Sequence, residues 1–263
     1  MGVILSWNVA GRVRSVAAQA AAVAGRHADV VALQEVRASA LGAWQAALAG
    51  LGYHHQHHSA VPDRPAPERR LGTLLAAREP LVPLPGIDGL PWPERHAAAV
   101  TALGIVHVLH APISAKPDRV KVRTLELVAA ALAVEREHPV VLVGDLNTPA
   151  YEARDGEVRS FARTRGGRLR EGFDERHDRA ELGVVPGLAA AGFADAFRVV
   201  HGYLARDRSW MYANGRMGYR LDHIFARGLE VHACAYEHAW REARLSDHSA
   251  IWADLRFPDR SRA

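Results

Sequence analysis

In RLSDHSAIWADL, residues 244–255, Asp247 and His248 stand side by side where an alternating apolar stretch begins. An acid and a base placed there can do chemistry only if other parts of the chain complete a site. Five other segments offer candidates. Asn8 closes GVILSWNVA, Glu35 closes ADVVALQEV, His110 leaves IVHVLHA, Asp145 and Asn147 end PVVLVGDLN, and Asp222 sits in YRLDHIFA. Each run has the short, apolar, bounded pattern of a strand. One Asp or Asn at a strand end is most simply a turn former. Packed sheets, however, carry the ends of non-adjacent strands to one edge, so these six segments could converge on a single cleft.

The elements that would position them can be read along the chain. Helical patterns cover RSVAAQAAAVAGRH, ASALGAWQAALAGLG and LGVVPGLAAAGF, and DRVKVRTLELVAAALAVERE is the clearest amphipathic one. GTLLAAR reads as a strand, HAAAVTAL and IVHVLHA as a hairpin turning at Gly104, and SWMYAN, YRLDHIFA and EVHACAYEHAW as three late strands before SAIWADLRF closes the fold. From Tyr151 to Glu181, acids and arginines interleave, a pattern that predicts a solvated helix or loop. With no internal repeat and no linker, one α/β domain over residues 1–263 is the economical reading. YHHQHHS lacks the acids and cysteines of a structural zinc site and is read as a polar strand on a rim or surface. His223, next to Asp222 on an extended segment, should point away from it and be structural.

Composition narrows the class without naming it. The 263 residues carry a net charge of +4, almost all of the cations being arginine, with Lys116 and Lys121 the only lysines. In so alanine-rich a chain this bias can arise from nucleotide composition. The charge would help any phosphate-bearing ligand approach but identifies none. No apolar run reaches membrane-spanning length, so no membrane partner is expected. Cys234 is the only cysteine, which rules out an intrachain disulfide and suits a reducing compartment. The start MGVILSWNVAGR reads as a strand rather than a signal peptide, making the cytoplasm the expected location. The sequence assigns no oligomeric state.

The ordered series SWNVAG, LQEV, HAPIS, GDLNTP, GYRLDHIF and LSDHSAI resembles the endonuclease/exonuclease/phosphatase superfamily of metal-dependent phosphoesterases, across nearly the whole chain. The resemblance implies a four-layered α/β sandwich: two packed, mainly antiparallel sheets flanked by helices, as in DNase I-like proteins, with the active site at one edge. It also implies Mg²⁺, or Mn²⁺ at the same oxygen-rich donors. Glu35 would be the anchoring ligand, with Asn8 beside the metal and Asp247 a further or outer ligand. Asp145 would orient or deprotonate the attacking water and Asn147 would hold a phosphate oxygen or that water, their side chains sharing a face because alternate strand residues do. His248 would contact a non-bridging phosphate oxygen as an imidazolium, with Asp222 behind it to raise its pKa.

The resemblance splits at the substrate. SWMYANGRMGYRLDHIF looks like AP endonucleases and would bring Trp210, Tyr212, Asn214 and Met217 near the substrate. HAPIS instead looks like DNase I-like members, in which His110 would be a general acid or phosphate contact; exonuclease III-like enzymes carry a tyrosine there. Lys116 and Arg119, just beyond it, are candidate phosphate contacts. The leading expectation is a DNA phosphodiesterase, an endonuclease or 3′-exonuclease with abasic sites as one target. The alternatives are a phosphatase or phosphodiesterase acting on a small soluble phosphoester, and an inactive binding protein on the same fold.

Overall fold

Two repeats of one strand–helix–strand arrangement build the molecule. In the first, β1 (Gly2–Asn8) passes through α1 (Val16–Arg26) to β2 (Val30–Arg37), followed by α2 (Leu41–Gly50), β3 (His55–His58) and β4 (Leu71–Ala77). β5 (Val82–Pro83) and β6 (His96–Thr101) lead into the second, in which β7 (Gly104–His110) passes through α3 (Arg119–Val134) to β8 (Val140–Asp145). A small hairpin of β9 (Tyr151–Glu152) and β10 (Val158–Arg159) precedes α4 (Glu175–Leu182), α5 (Val185–Ala190), β11 (Ala194–Asp195) and α6 (Ala196–His201). A second hairpin pairs β12 (Trp210–Tyr212) with β13 (Met217–Tyr219), before β14 (Asp222–Arg227), β15 (Glu230–Glu237), α7 (His238–Glu242) and β16 (Ala250–Arg256). The computed structural model describes residues 2–59, 70–113, 119–212 and 215–259. Lys116 and Asn214 lie outside the described residues.

The strands form two six-stranded sheets, ordered β15-β16-β1-β2-β4-β3 and β11-β14-β8-β7-β6-β5. In each sheet the parallel pair joined by its helix, β1 with β2 and β7 with β8, lies at the centre, and every neighbour runs antiparallel. The expected four-layered sandwich is therefore present. Its strands are apolar on both faces because both faces are covered. Ile4, Leu75, Val106, Val143, Ile224 and Ile251 pack between the sheets. Leu5, Trp7 and Trp44 belong to the cluster beneath α1 and α2, and Leu142 and Phe225 to the one beneath α3 to α5.

This arrangement determines where the polar strand ends go. The C-terminal ends of β1, β2, β7 and β8 carry Asn8, Glu35, His110 and Asp145, and the antiparallel neighbours begin at that same edge. Asp222 pairs with Asp145, and β16 starts beside the end of β1, just after His248. Gly144, at φ 135°, makes the approach of β7 and β8 possible, since a Cβ there would lie 1.9 Å from the Leu109 carbonyl oxygen. The hairpin turn at Gly104 falls where the sequence places it.

Three readings of the sequence need correction. EVHACAYEHAW does not stay extended: the strand ends at Glu237 and α7 follows. YRLDHIFA is broken between β13 and β14, so that Asp222 opens a strand rather than lying inside one. The Tyr151–Glu181 segment is not simply solvated. Glu152, Asp178 and Glu181 are buried because each has a cationic partner: Arg198 and Arg220, Arg163, and Lys121 respectively. Interleaved charge at the surface and interleaved charge folded into ion pairs look the same in sequence.

Candidate active site

Glu35 reaches the site through a backbone irregularity. β2 carries one extra residue against β4 between Leu33 and Val36, a bulge that re-aims the side chains around it. Glu35 itself adopts φ 57°, a left-handed conformation costly for a residue with a Cβ. Gln34 is held in the interior by bonds to the Ser6 hydroxyl and the Ala32 carbonyl, while Glu35 turns toward the strand ends. There its Oε1 lies 3.5 Å from His110 Nε2, which in turn lies 3.8 Å from Asp145 Oδ2. Asn8 donates its amide to both carboxylates, at 3.1 Å to Glu35 and 3.0 Å to Asp145, and its Oδ1 accepts from the Ala10 N–H. Asn8 thus bridges two acids through nitrogen, with its oxygen turned to the backbone.

Asp145 and Asn147 are brought together by a turn rather than by strand alternation. β8 ends at Asp145, and Asn147 is left-handed at φ 50°. Its N–H donates to Asp145 Oδ1, its amide to the Ala111 carbonyl, and its own carbonyl accepts from the Lys121 ammonium. Leu146 points into the core, fully buried.

The Asp247–His248 pair divides between solvent and interior. Trp7 donates its indole N–H to the His248 carbonyl, and the Ser246 hydroxyl donates to the Asn8 carbonyl while accepting from the His248 N–H, so this segment is pinned to the end of β1. His248 turns inward, its Nδ1 2.8 Å from Asp222 Oδ2 and its Nε2 3.8 Å from Asp145 Oδ2. Asp247 turns outward and accepts from the Trp210 indole at 3.2 Å. His223 points away from this cluster, buried against the Thr148 carbonyl.

Electrostatics give the buried groups different protonation states. Burial alone would lower the His248 pKa, but the charges of Asp222 and Asp145 outweigh it and raise the pKa to about 10. Burial pushes Asp145 up, His248 pulls it back, and Asp222 and Glu35 push it up again, to about 7. His110 goes the other way: burial, then the charges of Arg95 and His248, hold it well below the ordinary histidine value. Of the two roles that the resemblance implies for His110, general acid or phosphate contact, a ring so disfavoured as an imidazolium favours the second.

Glu35, His110 and Asp145 each bring one ligand atom within 4.8 Å of the others, as do Asp145, Asp222 and His248. One oxygen of Asp222 is buried with no hydrogen-bond partner. Asp145 faces the carboxylates of Glu35 and Asp222, its pKa raised by burial and then by these two, and Asp222 has an orphaned oxygen; a hard divalent cation would relieve both conditions. The donors present therefore fit the metal that the sequence implies.

Beside this cluster opens a cleft of about 400 Å³, lined by Glu35, Asp145, Asn147, Asp247 and His248 together with Ile113, Phe161, Arg170, Phe173, Trp210, Tyr219 and Leu221. Trp210 and Tyr219 stack with Tyr212, whose hydroxyl meets that of Tyr219 at 3.2 Å. The exposed Arg119 pairs with Asp174 and does not line this cleft, and Met217 is exposed on β13. Sequence reasoning missed Arg95, Phe161, Arg170 and Phe173. Arg95 sits in a Pro-rich stretch with no periodicity. The other three lie in the charge-rich segment, where isolated aromatics carry no signal of facing a cleft.

A sandwich of two mixed sheets with this cluster at its strand ends has the architecture of the DNase I-like fold. The model of the Endonuclease/Exonuclease/phosphatase family matches residues 5–248, and the chain belongs to that family. A search of curated proteins yields no match. Among solved structures, the chain is similar to an AP endonuclease from Archaeoglobus fulgidus (TM-score 0.76, 21% identity, covering 97% of this chain and 99% of that one). It is also similar to the 3′-5′ exonuclease NExo from Neisseria meningitidis (TM-score 0.71, 19% identity, 97% and 100%). A further structure, the 3′ phosphatase NExo from Neisseria bound to a product DNA hairpin, matches with TM-score 0.69 and 20% identity over 98% and 100% of the two chains. Among the described residues no helix is long and apolar enough to cross a membrane.

Proposed function

We propose that this phosphoesterase is a Mg²⁺-dependent DNA phosphodiesterase, an endonuclease or 3′-exonuclease acting at abasic sites among its targets, formed by a single domain over residues 1–263 and working in the reducing cytoplasm. The observation that carries the reading is the aromatic wall of Phe161, Phe173, Trp210 and Tyr219 opening directly onto the acid–imidazole cluster. Aromatic side chains beside a charged centre suit a nucleotide whose sugar or base must be held while its phosphate is attacked.

Glu35 and Asp145 would face the cation, with Asn8 beside it and Asp247 a further or outer ligand, while Asp222 is left to His248. When bound, such an ion neutralises phosphoryl charge and favours a nucleophilic water. Asp145, held ionised by that cation, would orient the attacking water and accept its proton. His248, cationic and fixed by Asp222, donates Nε2–H to a non-bridging oxygen. Asn147 and Asn8 orient Asp145 and its surroundings, and neutral His110 serves as a polar contact. Lys116, Arg119, Tyr212 and Asn214 belong to the same reading as contacts for the flanking strand.

The decisive assay is cleavage of a duplex carrying one abasic site, with Mg²⁺ or with chelator, run beside intact duplex, single strand and a small phosphomonoester. Selective, metal-dependent nicking lost in Glu35→Gln supports the proposal. The volume of the cleft favours a second reading, since about 400 Å³ also fits a small soluble phosphoester; hydrolysis of the small ester with every oligonucleotide left intact would establish that reading instead. Absence of turnover on all substrates would leave an inactive binding protein.

A further inference from the structure

Behind the aromatic hairpin lies a second hollow that the chemistry above does not use. It has a volume of about 280 Å³ and is lined by the chain from Pro149 to Glu152, by Arg198, Arg206, Asp207 and Arg208, and by Gly218, Tyr219 and Arg220. Tyr219 lines both hollows, so the β12–β13 hairpin is the partition between them. Gly218 lets β12 and β13 pair closely: a Cβ there would lie 2.2 Å from the Trp210 carbonyl oxygen.

The four arginines divide into two kinds. Arg220, buried, and Arg198, half-buried, are spent: Glu152 takes both, Asp195 takes Arg220, and the carbonyls of Gly202 and Ala205 take the rest of Arg198. Arg206 and Arg208 are exposed and have no carboxylate in ion-pair range among the described residues. Each gives a single donor to a backbone carbonyl, Arg206 to Glu152 and Arg208 to Arg216, leaving the rest of its planar fork open. Arg206 also lies 5.9 Å from the Tyr151 ring centroid. Asp207 faces His238 at 3.7 Å. A cavity floored by neutralised ion pairs and rimmed by two open guanidinium forks favours an anion that accepts several hydrogen bonds, and a phosphate group does so best.

Resting on the DNA-directed reading of the cleft, we infer that this hollow holds a backbone phosphate of the same strand, one that crosses the hairpin at Tyr219 after leaving the catalytic cluster. Arg206 and Arg208 are its ligands, and Asp207 tempers their charge. The site would set the register of the strand and take no part in bond cleavage, so removing it should weaken the enzyme on oligonucleotides only.

The test compares wild type, Arg208→Ala, Arg206→Ala/Arg208→Ala and Asp207→Asn on an oligonucleotide and on bis(p-nitrophenyl) phosphate across a salt series. The double variant should raise KM for the oligonucleotide about tenfold, leave kcat and small-ester hydrolysis unchanged, and lower the slope of log KM against log salt by about one. Arg208→Ala should show part of this effect, and Asp207→Asn should lower KM. If wild type cleaves the oligonucleotide and the double variant keeps its KM and salt slope, the inference fails while the DNA reading stands. If wild type leaves every oligonucleotide intact yet hydrolyses the small ester, both fail. Should the double variant also lose small-ester activity, its folding is in question and Asp207→Asn decides: an unchanged KM overturns the inference.

Discussion

Asp145 is where the cost and the use of this site meet. It is fully enclosed, it faces two other carboxylates, and its pKa stands at about 7. Without a cation, a carboxylic acid whose folded pKa is raised contributes stability below its unfolded value near 4 and loses it as the pH climbs to about 7. The metal-free protein should therefore gain stability from Asp145→Asn at pH 8, and its denaturation midpoint in chelator should rise. Turnover should fall by about 10²-fold or more, because the group that accepts the water proton is gone. A variant that is both less stable and fully active would contradict the assignment. Adding Mg²⁺ should then raise the melting temperature of wild type more than that of the variant, since the ion binds the folded state alone. Asp222 gives the complementary case. Asp222→Asn removes the partner that keeps His248 cationic, and kcat should fall by about 10²-fold with KM for the small ester little changed. A large rise in KM with normal kcat would instead place His248 in ground-state binding.

At the scale of elements, the site is carried by junctions. Lys121 on α3 is 2% exposed, yet it meets Glu181 on α4 at 2.8 Å and the Asn147 carbonyl at 2.7 Å. Glu181 also accepts from the Phe161 N–H at 2.6 Å. One buried ion pair thus ties two helices to the turn holding Asn147 and to an aromatic of the cleft. Breaking such a pair on one side strands a buried charge, at a cost of about 3–5 kcal/mol. Lys121→Met should lose that much stability in urea unfolding; a loss under about 1 kcal/mol would show that Glu181 finds other partners. The strand ends that meet at the cluster were legible in the sequence because apolar runs closing on Asn8, Glu35, His110 and Asp145 have a simple periodicity. What escaped was the means of assembly. Glu35 reaches its neighbours through an extra residue and a left-handed backbone, which no residue pattern announces. Asn147 does so through a turn, although alternation along β8 seemed sufficient. Arg95 and Lys121 act through partners distant in sequence, and a cation's partner is unreadable until the fold has brought it near.

For the whole molecule, these buried charges predict how the fold fails in acid. Glu152 is buried, but Arg220 and Arg198 outweigh that burial and bring its pKa down to about 2; Asp195, held by Arg220 and His223, is depressed further. Depressed carboxylates stabilise above their unfolded pKa near 4, and that contribution is lost as the pH falls through their folded values. His96 and His107 add an earlier loss. Their rings meet at 3.1 Å on neighbouring strands, and burial, assisted at His96 by the charge of His107, lowers them to about 3 and about 4. His110, held well below the ordinary value as well, adds a third. The unfolded chain takes up these protons below about pH 6.5 while the fold refuses them, so stability declines as the pH drops from there, by up to about 1.4 kcal/mol per histidine per pH unit. Asp145 works against this slope in the metal-free protein, since its raised pKa favours the fold as the pH falls from 7 toward 4. Urea unfolding in chelator should therefore show stability declining from pH 6.5 to 4.5, and declining further below, where the carboxylate clamps fail. In Asp145→Asn the compensating term is absent and the upper window should steepen by about one proton's worth. In His107→Leu it should flatten by the same amount, whatever that substitution does to stability at pH 8. Upper-window slopes that are identical in wild type and both variants would mean that neither group titrates between folded and unfolded states as the structure requires.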